Sequence, residues 1–91
     1  MSVLQCRGFA YHPRCLEYLK TLDKKIRKQI LKKVEQLVPD PYPPTCKQLH
    51  GQDDNGQPIY RVRSGDYRIL YVVRGMIVCV LDIDNRKDVY R

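Results

Sequence analysis

The segment Ile59-Tyr60-Arg61-Val62-Arg63-Ser64-Gly65-Asp66-Tyr67-Arg68-Ile69-Leu70-Tyr71 places three arginines at spacings that matter chemically. Along an extended chain, Arg61 and Arg63 project to one side while Tyr60 and Val62 project to the other. Ser64-Gly65-Asp66 supplies a tight turn, with Gly65 able to take a positive φ, and Arg68 follows just beyond it. Like charges on neighbouring positions of one face repel, so stability alone does not favour this pattern. A phosphate backbone laid across the face would convert the repulsion into binding. A guanidinium offers a phosphodiester two parallel hydrogen bonds and stays charged at every relevant pH. In RNA cleavage the 2′-hydroxyl attacks the adjacent phosphorus, charge builds on the non-bridging oxygens, and the 5′-oxygen leaves. Fixed cations stabilise that charge without a metal. Arg86 and Tyr90 extend the constellation, with Lys47 and Lys87 nearby, and Tyr90 stands in a polar tail where stacking on a base is a natural use for it.

Other chemistries find little support. Glu17 and Glu35 are the only glutamates, and no carboxylate pair is spaced for glycosidase-type work. No Ser-His-Asp or Cys-His arrangement is legible, and there is no glycine-rich phosphate loop. His12, at a helix start, reads as a surface or capping residue, whereas His50, in the loop before the hairpin, is ambiguous, with the rim of the open face as one place for it. Tyr60, Tyr67 and Tyr71 read as core aromatics. Cys6, Cys15, Cys46 and Cys79 form no CxxC or Cys/His cluster, so neither a metal site nor a cofactor is expected.

Ninety-one residues with a net charge of +7 fit one domain, 1–91, with an acidic or polyanionic partner. The charge is uneven. Residues 1–50 hold ten Lys/Arg against four Asp/Glu, and residues 51–91 hold seven against six. Lys24, Lys25, Lys28 and Lys32 form either a solvated helix face or an RNA contact. With no signal peptide and no apolar run of bilayer length, the expected setting is the cytoplasm, with reduced thiols and Cys79 in the core.

The elements that must carry these residues can be read in order. Ser2 to Ala10 suggests a first strand. Tyr11-His12-Pro13 opens a helix with an apolar stripe through Cys15, Leu16, Leu19 and Leu22. Asp23 is the expected N-cap of a longer helix, whose Ile26, Ile30, Val34 and Leu37 recur every three to four residues until the prolines of 39–44 end it. Thr45 to Pro58 reads as loop, with a turn at Asp53-Asp54-Asn55-Gly56. The central hairpin follows, then a turn at Arg74-Gly75, then Met76 to Ile83 as an apolar strand buried on both faces. Asp82 to Arg91 reads as a polar tail. The fold class is α+β: one strand, a two-helix antiparallel hairpin, then three antiparallel strands, with the helices on one sheet face and the other face open.

Leu22-Asp23-Lys24-Lys25-Ile26-Arg27-Lys28-Gln29-Ile30, the Tyr60–Tyr71 hairpin and Asn85-Arg86-Lys87-Asp88-Val89-Tyr90 together resemble the RelE/ParE toxins of type II toxin–antitoxin systems. The resemblance covers nearly the whole chain and implies the fold just described. For the RelE branch it also implies a metal-independent, ribosome-dependent endoribonuclease that cuts mRNA in the ribosomal A site and inhibits translation. A cognate antitoxin would neutralise it, and operator DNA would be met only through the antitoxin complex. By position, Arg61 and Arg63 match the basic residues of the family's second strand, and Arg68 the arginine that binds the scissile phosphate. Arg86 matches the leaving-group acid and Tyr90 the tyrosine that stacks on the mRNA base. The Lys-rich second helix would contact ribosomal RNA. Well-studied relatives have lysine, the proposed general base, where this chain has Arg63, and many have histidine where it has Asn85. A guanidinium is a poor proton acceptor near neutral pH. The ParE branch shares the fold but inhibits DNA gyrase by binding, without nuclease chemistry. A third possibility is a toxin that keeps only antitoxin binding.

Overall fold

A computed structural model describes residues 5–53 and 55–85. The chain runs β1 (Gly8–Tyr11), α1 (Pro13–Lys20), α2 (Lys24–Leu37), β2 (Lys47–Gln52), β3 (Pro58–Ser64), β4 (Tyr67–Arg74) and β5 (Ile77–Asn85). The five strands form one sheet in the order β1-β5-β4-β3-β2. β1 runs parallel to β5, and every other pair is antiparallel. This is the expected α+β architecture with one addition. The segment expected as loop contributes β2 at the sheet edge, where Lys47 pairs with Arg61 and Gln48 with Tyr60. Its sequence, KQLHGQ, has no apolar alternation because edge residues in contact with water need none.

Helix boundaries follow local chemistry. His12 caps α1, its Nδ1 accepting the Arg14 backbone N–H at 3.1 Å, and Pro13 occupies the first turn. Asp23 precedes α2 but makes no side-chain cap. Arg27 instead reaches back to donate to the carbonyls of Leu19, at 3.4 Å, and Leu22, at 3.5 Å, closing the end of α1. The expected stripe on α1 is narrower than its sequence suggests: Cys15 and Leu19 are buried, whereas Leu16 is exposed.

Both helices cover the same sheet face. Cys15, Leu19, Ile30, Val34 and Leu37 pack against Val62, Ile69, Tyr71, Val78, Val80 and Ile83 in one core. Tyr71 is fully buried, and its hydroxyl donates to the Pro41 carbonyl at 2.7 Å, pinning the proline segment to the sheet. Burial pushes that hydroxyl's pKa far above the usual tyrosine range. Tyr60 and Tyr67 flank it half-buried, in ring contact with Tyr42, Tyr71 and Tyr18.

Three expectations need correction. The first strand is β1, Gly8–Tyr11, and does not include residues 5–7 of the expected stretch, where Cys6 and Arg7 donate to the backbone carbonyls of Val38 and Met76; its residues 2–4 lie outside the described residues. β5 is central but not fully buried on both sides; Val78, Val80 and Ile83 enter the core, while Cys79 lies half-buried on the other side, paired with Val72. The strand also runs on to Asn85, so Asp82 to Asn85 belongs to the sheet and not to a tail.

Candidate functional site

The hairpin that carries the arginines closes through Gly65-Asp66, with Ser64 paired to Tyr67 and Gly65 at φ 60°. A side chain there would be strained, so glycine is required. Val62, Ile69 and Tyr71 drive one face of the hairpin into the core, which forces Arg61, Arg63 and Arg68 onto the other. The pairing adds what linear order leaves open. Lys47 lies opposite Arg61, and Arg63 opposite Arg68. Four cations therefore occupy three adjacent strands on the side away from the helices. Neighbouring strands are about 4.8 Å apart, so these charges are close enough to act on one phosphate or two successive ones.

Arg68 is anchored from the far side. Asp84 pairs with it across β4 and β5, and the Arg68 Nε and Nη2 atoms donate to the two carboxylate oxygens at 2.9 and 3.2 Å. A bulge makes this possible. Tyr71 pairs with Val80 but Leu70 with Asp82, so Leu81 is an extra residue in β5. Without it, the alternation set by Val78 and Val80 would send Asp82 and Asp84 into the core and Ile83 outward. The bulge reverses both assignments.

A groove of about 450 Å³ runs beside the arginines, lined by Lys33, Thr45, Lys47, Arg61 and Arg63. Lys33 comes from α2 but is not one of the four lysines whose spacing suggests an RNA contact. Those four, Lys24, Lys25, Lys28 and Lys32, are exposed on α2, and none of them lines this groove. Arg86, Lys87 and Tyr90 lie outside the described residues. Of the residues expected to do chemistry, the structure thus gathers Arg61, Arg63, Arg68 and Lys47, and adds Asp84, Lys33 and Thr45. The sequence signal for Asp84 is the broken spacing of Val78, Val80 and Ile83, which marks a bulge.

The uncovered face is not open throughout. Val72 lies on it yet is fully buried, next to Cys79 across the strand pair. Arg74, two residues on, is ion-paired with Asp53 from the β2–β3 connection. The same carboxylate accepts the backbone N–H groups of Asn55, at 3.0 Å, and Gln57, at 2.8 Å. The hydrogen bond from Arg74, first, and those backbone contacts hold the Asp53 pKa below the usual carboxylate value. Burial pushes the Cys15 thiol up to about 11 and the Tyr11 hydroxyl up to about 12, leaving both neutral. The four cysteines are free thiols. Among the described residues, no group of three His, Cys, Asp or Glu side chains is placed to hold a metal ion, and no helix is long and apolar enough to cross a membrane.

The family model for the ParE toxin of the type II toxin–antitoxin system parDE matches residues 9–90. The chain belongs to that family. No curated protein matches its sequence. Among solved structures the toxin is similar to the archaeal RelE–RelB complex from Pyrococcus horikoshii OT3, at 26% identity and a TM-score of 0.74 over 90% of this chain and 96% of that one. It is also similar to the isolated Escherichia coli RelE toxin, at 25% identity and a TM-score of 0.69 over 91% and 89%. The RelB–RelE antitoxin–toxin complex from Methanococcus jannaschii, at 23% identity and a TM-score of 0.64 over 88% and 93%, shares the fold. The toxin's strand, two helices and following antiparallel strands are thus a RelE-like arrangement.

Proposed function

We propose that the toxin is a ribosome-dependent endoribonuclease that cuts mRNA in the A site, in the cytoplasm, and is neutralised by a cognate antitoxin. The observation that carries this reading is the cation row, Lys47, Arg61, Arg63 and Arg68, held on a sheet face the helices do not cover. Arg61, Arg63 and Arg68 bind the scissile phosphate and stabilise the charge that develops on it. Arg86 supplies the proton to the leaving 5′-oxygen, and Tyr90 stacks on a base. Lys33 and Lys47 guide the strand along the groove, while Lys24, Lys25, Lys28 and Lys32 on α2, with Lys87, engage ribosomal RNA. The likeness to RelE and to RelE–RelB complexes supports both the activity and the antitoxin partner.

A second reading, inhibition of DNA gyrase by binding, draws on the ParE family match and on Arg63, which cannot serve as a base. Induced expression with a primer-extension readout separates the two. Cleavage within translated codons is expected; intact mRNA with a DNA damage response would favour gyrase. Since the proposed chemistry uses guanidinium charge, cleavage is expected to persist in excess chelator, which an in vitro translation assay measures.

A further inference from the structure

We infer that Asp84 is the general base of the cleavage reaction, taking the proton from the attacking 2′-hydroxyl. The inference rests on the endoribonuclease reading above and supplies what that reading lacks, a proton acceptor. Arg63, Arg68 and Asp84 are directly paired across β3, β4 and β5, so they form one row on the uncovered face. A phosphate gripped by Arg63 and Arg68 therefore sits within about one strand spacing of the Asp84 carboxylate. The paired contacts to Arg68, at 2.9 and 3.2 Å, fix the orientation of that carboxylate before substrate arrives. Arg68 also offsets the repulsion between the carboxylate and a bound phosphate.

The alternatives on this side of the molecule fit less well. Arg61 and Arg63 keep their protons at any working pH. Asp82 lies one row away, opposite Leu70 and not Arg68. Asp66 is on the hairpin turn, beyond the end of the row. His50 lies in the part of β2 where pairing with β3 is irregular. In the row of Asp84 the charged groups are Arg68 on β4 and Arg63 on β3, and the next row holds Lys47 on β2, Arg61 on β3 and Asp82 on β5.

In the proposed step the 2′-O–H bond breaks and its proton passes to a carboxylate oxygen of Asp84 as the 2′-oxygen bonds to phosphorus. The P–O5′ bond then breaks, and the 5′-oxygen departs with a proton from the leaving-group acid. The products are a 2′,3′-cyclic phosphate and a 5′-hydroxyl end, and exchange with water restores both protein groups.

The test is single-turnover cleavage of mRNA on programmed ribosomes, as a function of pH, with Asp84→Asn, Asp84→Glu and the unaltered toxin. Asp84→Asn should slow cleavage at neutral pH by at least about a hundredfold and flatten the rate's dependence on pH, while ribosome binding and the melting temperature change little. Asp84→Glu, which restores a carboxylate, should recover part of the rate and the pH dependence. Full activity in Asp84→Asn, or a slower rate that keeps the original pH dependence, would overturn the assignment and leave Asp84 as an anchor for Arg68. If the unaltered toxin itself fails to cut, the endoribonuclease reading falls and takes the assignment with it, which distinguishes the two failures.

Discussion

Two halves of one sheet face have been put to opposite uses. Towards the β3–β4 turn, four cations gather on β2, β3 and β4, and the Asp84 carboxylate on β5 engages one of them, Arg68. Towards the other end of the same strands, Val72 is fully buried and Arg74 is matched by a carboxylate that is itself tied into a loop. The second half behaves like a small satellite core: apolar contact, neutralised charge, satisfied backbone. The first half keeps excess positive charge at a standing electrostatic cost. That cost is what the proposed RNA contact would offset.

Of the two halves, the charged one should give the larger effect when attacked. Arg68→Ala should reduce mRNA cleavage at least tenfold, since removing one charge-assisted interaction with a transition state costs about 2–4 kcal/mol. Circular dichroism should show an intact fold, because the pair it breaks is partly solvated and such pairs add at most about 1 kcal/mol to stability. Unchanged toxicity in that variant would erase the distinction between the halves. The sealed half should respond the other way. Val72→Ala is expected to cost about 2 kcal/mol of stability, lowering the melting temperature by roughly 10 °C, while leaving cleavage below that temperature unaltered.

Smaller effects sharpen the contrast. Lys47→Ala and Lys33→Ala should each weaken RNA association and reduce the slope of log affinity against log salt by about 0.7 for every phosphate no longer neutralised. Titration of ribosome binding at several salt concentrations measures this, and an unchanged slope would remove the groove from the interface. The smallest effect is acidic. Asp53 has a lowered pKa in the fold, so its contribution is present above the ordinary carboxylate pKa and disappears as pH falls through the depressed value. The melting temperature should therefore decline on acidification below about pH 4, and Asp53→Asn should remove part of that decline.

Much of the molecule is legible in the linear chain. The period of Ile26, Ile30, Val34 and Leu37 defines α2 because a helix buries one stripe. The alternation from Tyr60 to Val62, with a glycine at the turn, defines the hairpin and the side on which Arg61, Arg63 and Arg68 emerge. His12 is legible as a cap, and Tyr71 as a core aromatic. What escapes depends on neighbours. β2 reads as loop because an edge strand in water carries no apolar signature. Cys79 reads as core because an unbroken apolar run does not say which side meets the helices. Lys33 looks like any other helix lysine until the fold turns it towards β2 and β3.

Local order alone determined the helices, the hairpin and the side on which the arginines stand, since each depends on periodicity over a few residues. Tertiary pairing alone decided which carboxylate meets them. A single extra residue, Leu81, reverses the facing of everything after it in β5 and swings Asp84 from the core side to Arg68. Such a bulge exists only when a second strand is present to be out of step with: the broken spacing of Val78, Val80 and Ile83 marks it, but only the pairing with β4 decides that Asp84 meets Arg68.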